Sequence, residues 1–217
     1  FYRHAITKMS HIHFAAADEF EKRIIQMGES PNTVHMVGGL GAYQLRDFKP
    51  FSKDEIEKKL GLRFLKKNLL VTFHPVTLEP EESVKHLTNL LSVLGELRDT
   101  CLIFTLPNAD TYSSALRRSI KDFEAAHSNA FSFEALGQPL YLSCMHYVDG
   151  VVGNSSSGLL EAPSVGVGTV NIGSRQGGRP GSLSVINCAP VKRKINQAVC
   201  KLYSENFQEM IKNQNTA

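Results

Sequence analysis

One stretch of the chain has the residue types needed to hold an anion: Val151-Val152-Gly153-Asn154-Ser155-Ser156-Ser157-Gly158-Leu159-Leu160-Glu161-Ala162-Pro163. An apolar run stops at Gly153, small hydroxyl residues follow, and a short helical turn then carries a single carboxylate. A strand feeding such a loop leaves backbone N–H groups at the start of the next helix to point at a phosphate. Ser155, Ser156 and Ser157 are able to cap that helix or to donate to phosphate oxygens. Gly158 permits close backbone approach. Glu161, about one turn further on, is able to accept hydrogen bonds from two sugar hydroxyls. Pro163 soon ends the helix. The stretch reads as a phosphate-and-ribose site; taken alone it also reads as an ordinary serine-capped helix.

Other chemistry-bearing residues stand at similar places. His74 follows an apolar run and precedes Pro75, so it is suited to donate to a diphosphate or to protonate a leaving group; a satisfied loop histidine is the alternative. Arg175 and Arg179 lie in the glycine-rich Gly173–Arg179 segment, where guanidinium groups suit bidentate phosphate contact or simply face solvent. His4, His11 and His13 cluster near the start, but no acidic or cysteine partner stands at metal-site spacing, and a partly buried helix face explains them. There is no nucleophile elbow and no Walker A sequence. Glu161 is the main acidic group among these loops, with Asp110 and Glu79 less well placed. The residues therefore give a nucleotide-diphosphate site without an evident proton-transfer set.

The elements that would position these groups follow from the apolar pattern. Strand-like runs at Val34–Val37, Leu69–Phe73, Cys101–Leu106, Ala130–Phe133, Val148–Val152, Thr169–Ile172 and Leu183–Ile186 alternate with helix-like segments at Phe51–Leu60, Pro80–Leu97, Thr111–His127, Pro139–His146, Ser157–Ala162, Val191–Lys201 and Glu205–Lys212. Continuous apolar strands separated by helices predict an α/β chain with a parallel sheet covered on both faces. In such sheets ligands bind beyond the carboxyl ends of the strands. That rule brings the His74, Pro107–Asp110, Ser155–Ser157 and Gly173–Arg179 loops to one edge. Phe1–His11 and Asp18–Met27 read as helices, with a short strand between them at His13–Ala16.

Composition narrows the class. The chain has 217 residues, 42% hydrophobic and 21% charged, with a formal charge of +3. That is ordinary for a water-soluble globular protein. Lys192-Arg193-Lys194 is the one tight basic cluster, too small for a nucleic-acid face. No apolar run reaches membrane-spanning length. The cysteines Cys101, Cys144, Cys188 and Cys200 have no metal-site spacing and suit a reducing cytoplasm, with Cys101 a buried thiol. The chain opens on Phe1 in what reads as mid-helix, so the expectation is a sequence that begins inside a longer protein.

Several segments taken together resemble the hydrolysing UDP-N-acetylglucosamine 2-epimerase family, in its sialic- and legionaminic-acid biosynthesis branch. They are Arg3–Lys8, Val71–Thr77, Gly153–Gly158, Glu161–Gly166 and Val170–Arg179. The resemblance implies a GT-B-like fold: a Rossmann-type doubly wound parallel sheet as C-terminal domain, preceded by the tail of a truncated N-terminal domain. The implied organisation is 1–32 for the remnant and linker, 33–200 for the UDP-binding domain and 201–217 for a C-terminal helix. It implies His74 as the catalytic group that assists departure of UDP, with Ser155, Ser156, Ser157, Glu161, Arg175, Asn108 and Tyr141 binding UDP. It implies a UDP-sugar substrate, no metal and no other cofactor, no nucleic-acid or membrane partner, and a homodimer for the full-length protein. The implied reaction eliminates UDP to a 2-acetamidoglucal and then adds water, giving N-acetylmannosamine. A diacetamido-trideoxy sugar nucleotide, a GT-B glycosyltransferase and a non-catalytic nucleotide-sugar-binding domain are the alternatives. The family's proton-transfer carboxylates belong to the N-terminal domain, one of them falling just before Phe1, so these 217 residues alone are expected to be inactive. Gly168 departs from a proline found in many relatives, with some expected loss of loop rigidity.

Overall fold

In the computed structural model the first apolar stretches fold apart from the rest. Strands β1 (His13–Ala15) and β2 (Val34–Met36) pair in parallel, accompanied by α1 (Tyr2–Met9) and α2 (Asp18–Gln26). The structure describes residues 2–39, 41, 45, 47–76, 80–107, 113–179 and 181–214, and contacts divide the chain into Phe1–Phe48 and Lys49–Ala217. The strand expected at Val34–Val37 is present, but it pairs with β1, so contacts group it with the first unit. The expected partly buried helix face for the histidines is absent, since α1 buries no residue. Instead His13 is buried on β1 with Nε2 3.3 Å from Glu29 Oε2. Lys8 Nζ donates to Glu29 Oε1 at 2.5 Å, and that bond holds the Glu29 carboxyl below its ordinary range.

In the second unit the six remaining apolar runs form one sheet. They are β3 (Lys67–Thr72), β4 (Thr100–Thr105), β5 (Ala130–Phe133), β6 (Gly150–Gly153), β7 (Gly168–Ile172) and β8 (Val185–Cys188). The spatial order is β5-β4-β3-β6-β7-β8, every pair parallel. The chain therefore winds outward from β3 to one side, crosses back, and winds outward from β6 to the other. This is the doubly wound order, with its switch point between β3 and β6.

The helices are α3 (Lys53–Leu60), α4 (Pro80–Leu94), α5 (Ser113–Ala126), α6 (Gln138–Met145), α7 (Ser157–Leu160), α8 (Lys192–Leu202) and α9 (Glu205–Gln214). Alternation along the strands splits the core in two. Leu69, Val71, Leu102 and Phe104 pack with α4, α5, α8 and α9 on one face. Leu70, Cys101 and Ile103 pack with α3 and α6 on the other. Strands buried on both faces explain the unbroken apolar runs in the sequence. Burial pushes the Cys101 thiol up to about 12, in keeping with an inert core cysteine. Helix α3 is bounded by its own chemistry. Glu55 N donates to Ser52 Oγ and Ser52 N to Glu55 Oε2, while Gly61 closes the other end at φ 64°.

Gly168 corrects one expectation. It is not in a loop but begins β7, in register with Gly150 of β6. A Cβ at Gly168 would stand 2.6 Å from Leu202 Cδ1 and 2.9 Å from Ile211 Cδ1. The two glycines thus leave a trough in which Leu202 of α8 lies against the sheet, a packing role instead of a loss of rigidity. Among the described residues no helix is long and apolar enough to cross a membrane.

Candidate functional site

Three loops meet at the carboxyl edge of the sheet because β3, β6 and β7 are neighbours there. β3 leads through Phe73 into His74-Pro75-Val76, β6 into Asn154–Ser156 and α7, and β7 into the Gly173–Arg179 turn. The crossing at Gly153 is tight. Its φ is 138°, and a Cβ there would overlap the carbonyl of Thr72 on the neighbouring strand. Only glycine lets the two backbones approach this closely.

The next residue joins the loops. Asn154 is 1% exposed. Its Oδ1 accepts from His74 N at 2.7 Å and its Nδ2 donates to His74 O at 2.8 Å. Its own N–H donates to Thr72 O at 3.1 Å. Its carbonyl accepts from Gln176 Nε2 at 2.7 Å and from Arg175 Nη1 at 3.1 Å. The residues expected to act on a diphosphate, His74 and Arg175, are therefore both tied to one buried asparagine. Sequence reading placed Asn154 and Gln176 only within motifs. The signal available was an amide side chain directly after a strand-ending glycine.

The serine loop differs in detail from a serine-capped helix. Ser156 occupies the cap position with helical backbone angles and makes no side-chain cap. Ser155 Oγ accepts from Ser157 N at 3.4 Å, a long bond. Helix α7 is a single turn held in place by Gly158. A Cβ there would stand 2.6 Å from Thr169 Cγ2, and Thr169 Oγ1 donates to Gly158 O at 2.7 Å.

Around this loop lie buried polar atoms that find no hydrogen bond among the described residues: Tyr141 Oη, Ser157 Oγ, Glu161 Oε2, Asn171 Oδ1 and Gln176 Oε1. Such atoms are uncommon in folded proteins and mark places where a partner group is called for. Burial pushes the Tyr141 phenol above its ordinary range. The hydroxyls of Ser157 and Thr72 pull the other way, and the Glu161 charge adds to the rise. Thr72 Oγ1 also lies 2.5 Å from Thr105 Oγ1. A band of hydroxyls thus runs from the end of β4, across β3, to α6 and α7, and finishes at a carboxylate. This arrangement offers donors and acceptors to a polar ligand with several oxygens. Of the expected site residues, the structure brings together His74, Ser157, Glu161, Tyr141 and Arg175 with the Ser155–Ser156 loop, while Asn108, Asp110 and Glu79 lie outside the described residues. Arg179 N donates to Gln176 O at 3.3 Å, which places Arg179 on the same exposed turn as Arg175. Among the described residues no group of three potential ligands comes together to hold a metal.

The chain matches the family model described as UDP-N-acetylglucosamine 2-epimerase over residues 1–216. It is 37% identical over 212 residues to "Polysialic acid biosynthesis protein P7" of Escherichia coli, covering 97% of this chain and 54% of that protein. It is 34% identical over 208 residues to "GDP/UDP-N,N'-diacetylbacillosamine 2-epimerase (hydrolyzing)" of Campylobacter jejuni, covering 95% of this chain and 54% of the other. Among solved structures, the S. aureus MnaA–UDP co-structure superposes with a TM-score of 0.72 at 13% identity, over 97% of this chain and 56% of that one. The fold is thus the α/β, GT-B-like one, and the chain spans about half the length of the relatives it matches.

Proposed function

Because the chain belongs to the UDP-N-acetylglucosamine 2-epimerase family, we propose that it carries the nucleotide-binding half of a hydrolysing UDP-sugar 2-epimerase. The observation that carries this reading is the set of buried, unpartnered oxygens of Tyr141, Ser157 and Glu161 beside the Asn154-tied loops at the switch point. On this reading the diphosphate lies against Ser155, Ser156 and Arg175, the ribose hydroxyls donate to Glu161, and Asn108 and Tyr141 complete the surroundings. Bond breaking at the anomeric carbon sends an electron pair to the departing UDP. His74 and Arg175 are placed to stabilise the charge that develops there, which is where such groups lower a barrier most. Loss of the C2 proton with UDP leaves a 2-acetamidoglucal. Water then returns a hydroxyl to C1 and a proton to C2, giving N-acetylmannosamine and UDP. The carboxylates that move the C2 proton lie in the half of the family's length that this chain does not span. On this reading the 217 residues by themselves bind UDP weakly and do not turn over substrate.

A second reading concerns the sugar. The similarity to a diacetylbacillosamine 2-epimerase at 34% identity supports a diacetamido-trideoxy sugar nucleotide in place of UDP-N-acetylglucosamine. Turnover of the two nucleotide sugars by the full-length protein separates these. Product analysis with and without a sugar acceptor separates both from glycosyl transfer.

The primary test is calorimetric titration with UDP. Saturable binding that falls by about 10- to 100-fold in Glu161→Ala, and by a similar factor in Arg175→Ala, is the expected result for lost charge-assisted hydrogen bonds. Binding unchanged in both variants would remove the site from this loop cluster.

A further inference from the structure

We propose that Asn154 is a positioning residue that makes the His74 loop and the Arg175–Gln176 turn behave as one unit. It touches neither reacting atoms nor, on the reading above, the nucleotide. It acts through the backbone of His74 on one side and the side chains of Arg175 and Gln176 on the other.

The argument rests on how completely this residue is committed. Every polar atom of Asn154 meets a partner, and the partners belong to two other segments: Thr72 at the end of β3 with His74 just beyond it, and Arg175 and Gln176 after β7. The side-chain amide meets the His74 peptide face to face, donor to acceptor and acceptor to donor, at 2.8 and 2.7 Å. No other side chain of that size supplies both a donor and an acceptor in one plane without first taking up a proton. The whole assembly is anchored from below by Gly153, whose approach to Thr72 allows no side chain. With the residue at 1% exposure, solvent offers no substitute partners, so breaking one pair leaves a buried orphan. A displacement of the Arg175–Gln176 turn is therefore felt at the Asn154 carbonyl and, one residue of rigid backbone away, at His74. A diphosphate gripped by Arg175 fixes the group that assists its departure. The ligand part of this statement rests on the function proposed above; the mechanical part does not.

Aspartate is the informative replacement. In Asn154→Asp the ionised carboxylate sets a second acceptor against His74 O, and that repulsion turns the His74 backbone away from both bonds. Protonated, it regains the donor. Burial and the facing His74 carbonyl raise such a carboxyl, while the Arg175 guanidinium and the His74 N–H pull it down, so lowering the pH favours the re-formed pair and raising it the broken one. Amide exchange of His74 in the ligand-free chain, expressed as a protection factor, should fall at least tenfold at the higher pH and return to the parent value at the lower one. In Asn154→Ala protection should be lost at both. Gln176→Leu leaves the Asn154 side chain intact and does not touch His74, yet should also speed His74 exchange several-fold.

His74 protection that follows neither the pH of the aspartate variant nor the Gln176 replacement would overturn the proposal. Parallel UDP titration keeps the two claims apart. A parent chain that binds no UDP counts against the nucleotide reading, while the exchange data still decide the coupling. A parent that binds UDP should lose affinity in Asn154→Asp at the higher pH and recover it at the lower one.

Discussion

The two ends of the same sheet treat buried polar groups differently. At the amino end they are answered. Asn68 Oδ1 accepts from Leu65 N at 2.9 Å, and its Nδ2 donates to Leu65 O at 3.1 Å. Asp149 Oδ2 accepts from Asn68 N at 2.6 Å, and Asn129 Nδ2 donates to Thr100 O at 2.6 Å. Burial raises the Asp149 carboxyl, and the Asn68 amide holds part of that rise back. At the carboxyl end the backbone of the loops is just as firmly held, through Asn154, but five side-chain oxygens have no partner among the described residues. At the amino end only the Tyr203 hydroxyl shares that condition. The same strands and the same core support both ends. What differs is that one end completes its own hydrogen bonds and the other holds its loops rigid while leaving side-chain groups unmatched. Fixed geometry bearing unsatisfied chemistry is what the nucleotide site proposed above requires.

Substitutions can break or sharpen this contrast. The largest effect is expected at the tight crossing. Gly153→Ala forces a Cβ onto the Thr72 carbonyl in a backbone conformation that suits glycine, and should cost about 3 kcal/mol or more in denaturant unfolding. A variant as stable as the parent would mean the loops are not held as described. Next comes the amino end. Asn68→Ala strips two backbone partners at once and should lower stability by about 1–3 kcal/mol. The smallest effect is expected at the carboxyl end, where Tyr141→Phe removes a hydroxyl that lies near those of Ser157 and Thr72 but meets neither in good hydrogen-bond geometry. Its unfolding free energy should stay within about 0.5 kcal/mol of the parent. A Tyr141→Phe loss as large as that of Asn68→Ala would erase the distinction between the two ends.

Much of the fold was legible because apolar runs and helical periods are local properties. The strand read at Ala130–Phe133 has those bounds in the structure, and the helix read from Pro80 ends at Leu94, three residues short of the sequence reading. The carboxyl-edge rule then gathered His74, the serine loop and Arg175 without any knowledge of contacts. What stayed hidden depends on pairing between distant segments. Nothing in Val34–Met36 states that it prefers β1 to the main sheet, because β-propensity carries no address. The role of Asn154 was hidden for the same reason: an asparagine after a glycine is common, and its value here comes from a peptide 80 residues earlier. Gly168 was misread because its missing side chain is filled by Leu202, a residue from a helix on the far side of the sequence.

The order of the strands also has a consequence for how the molecule is made. A chain emerging from its amino end can pair β3, β4 and β5 with one another before β6 exists, and β6, β7 and β8 follow as a second group. The seam between the groups, β3 against β6, joins residues about eighty positions apart in the register Leu69 to Gly150. Contacts of such separation carry the highest loop-closure cost and close late. The Asn154–His74 pair lies on that seam, so it belongs to neither group of strands alone. That pair forms only at the step that joins the two groups, and on the function proposed above the nucleotide site forms with it.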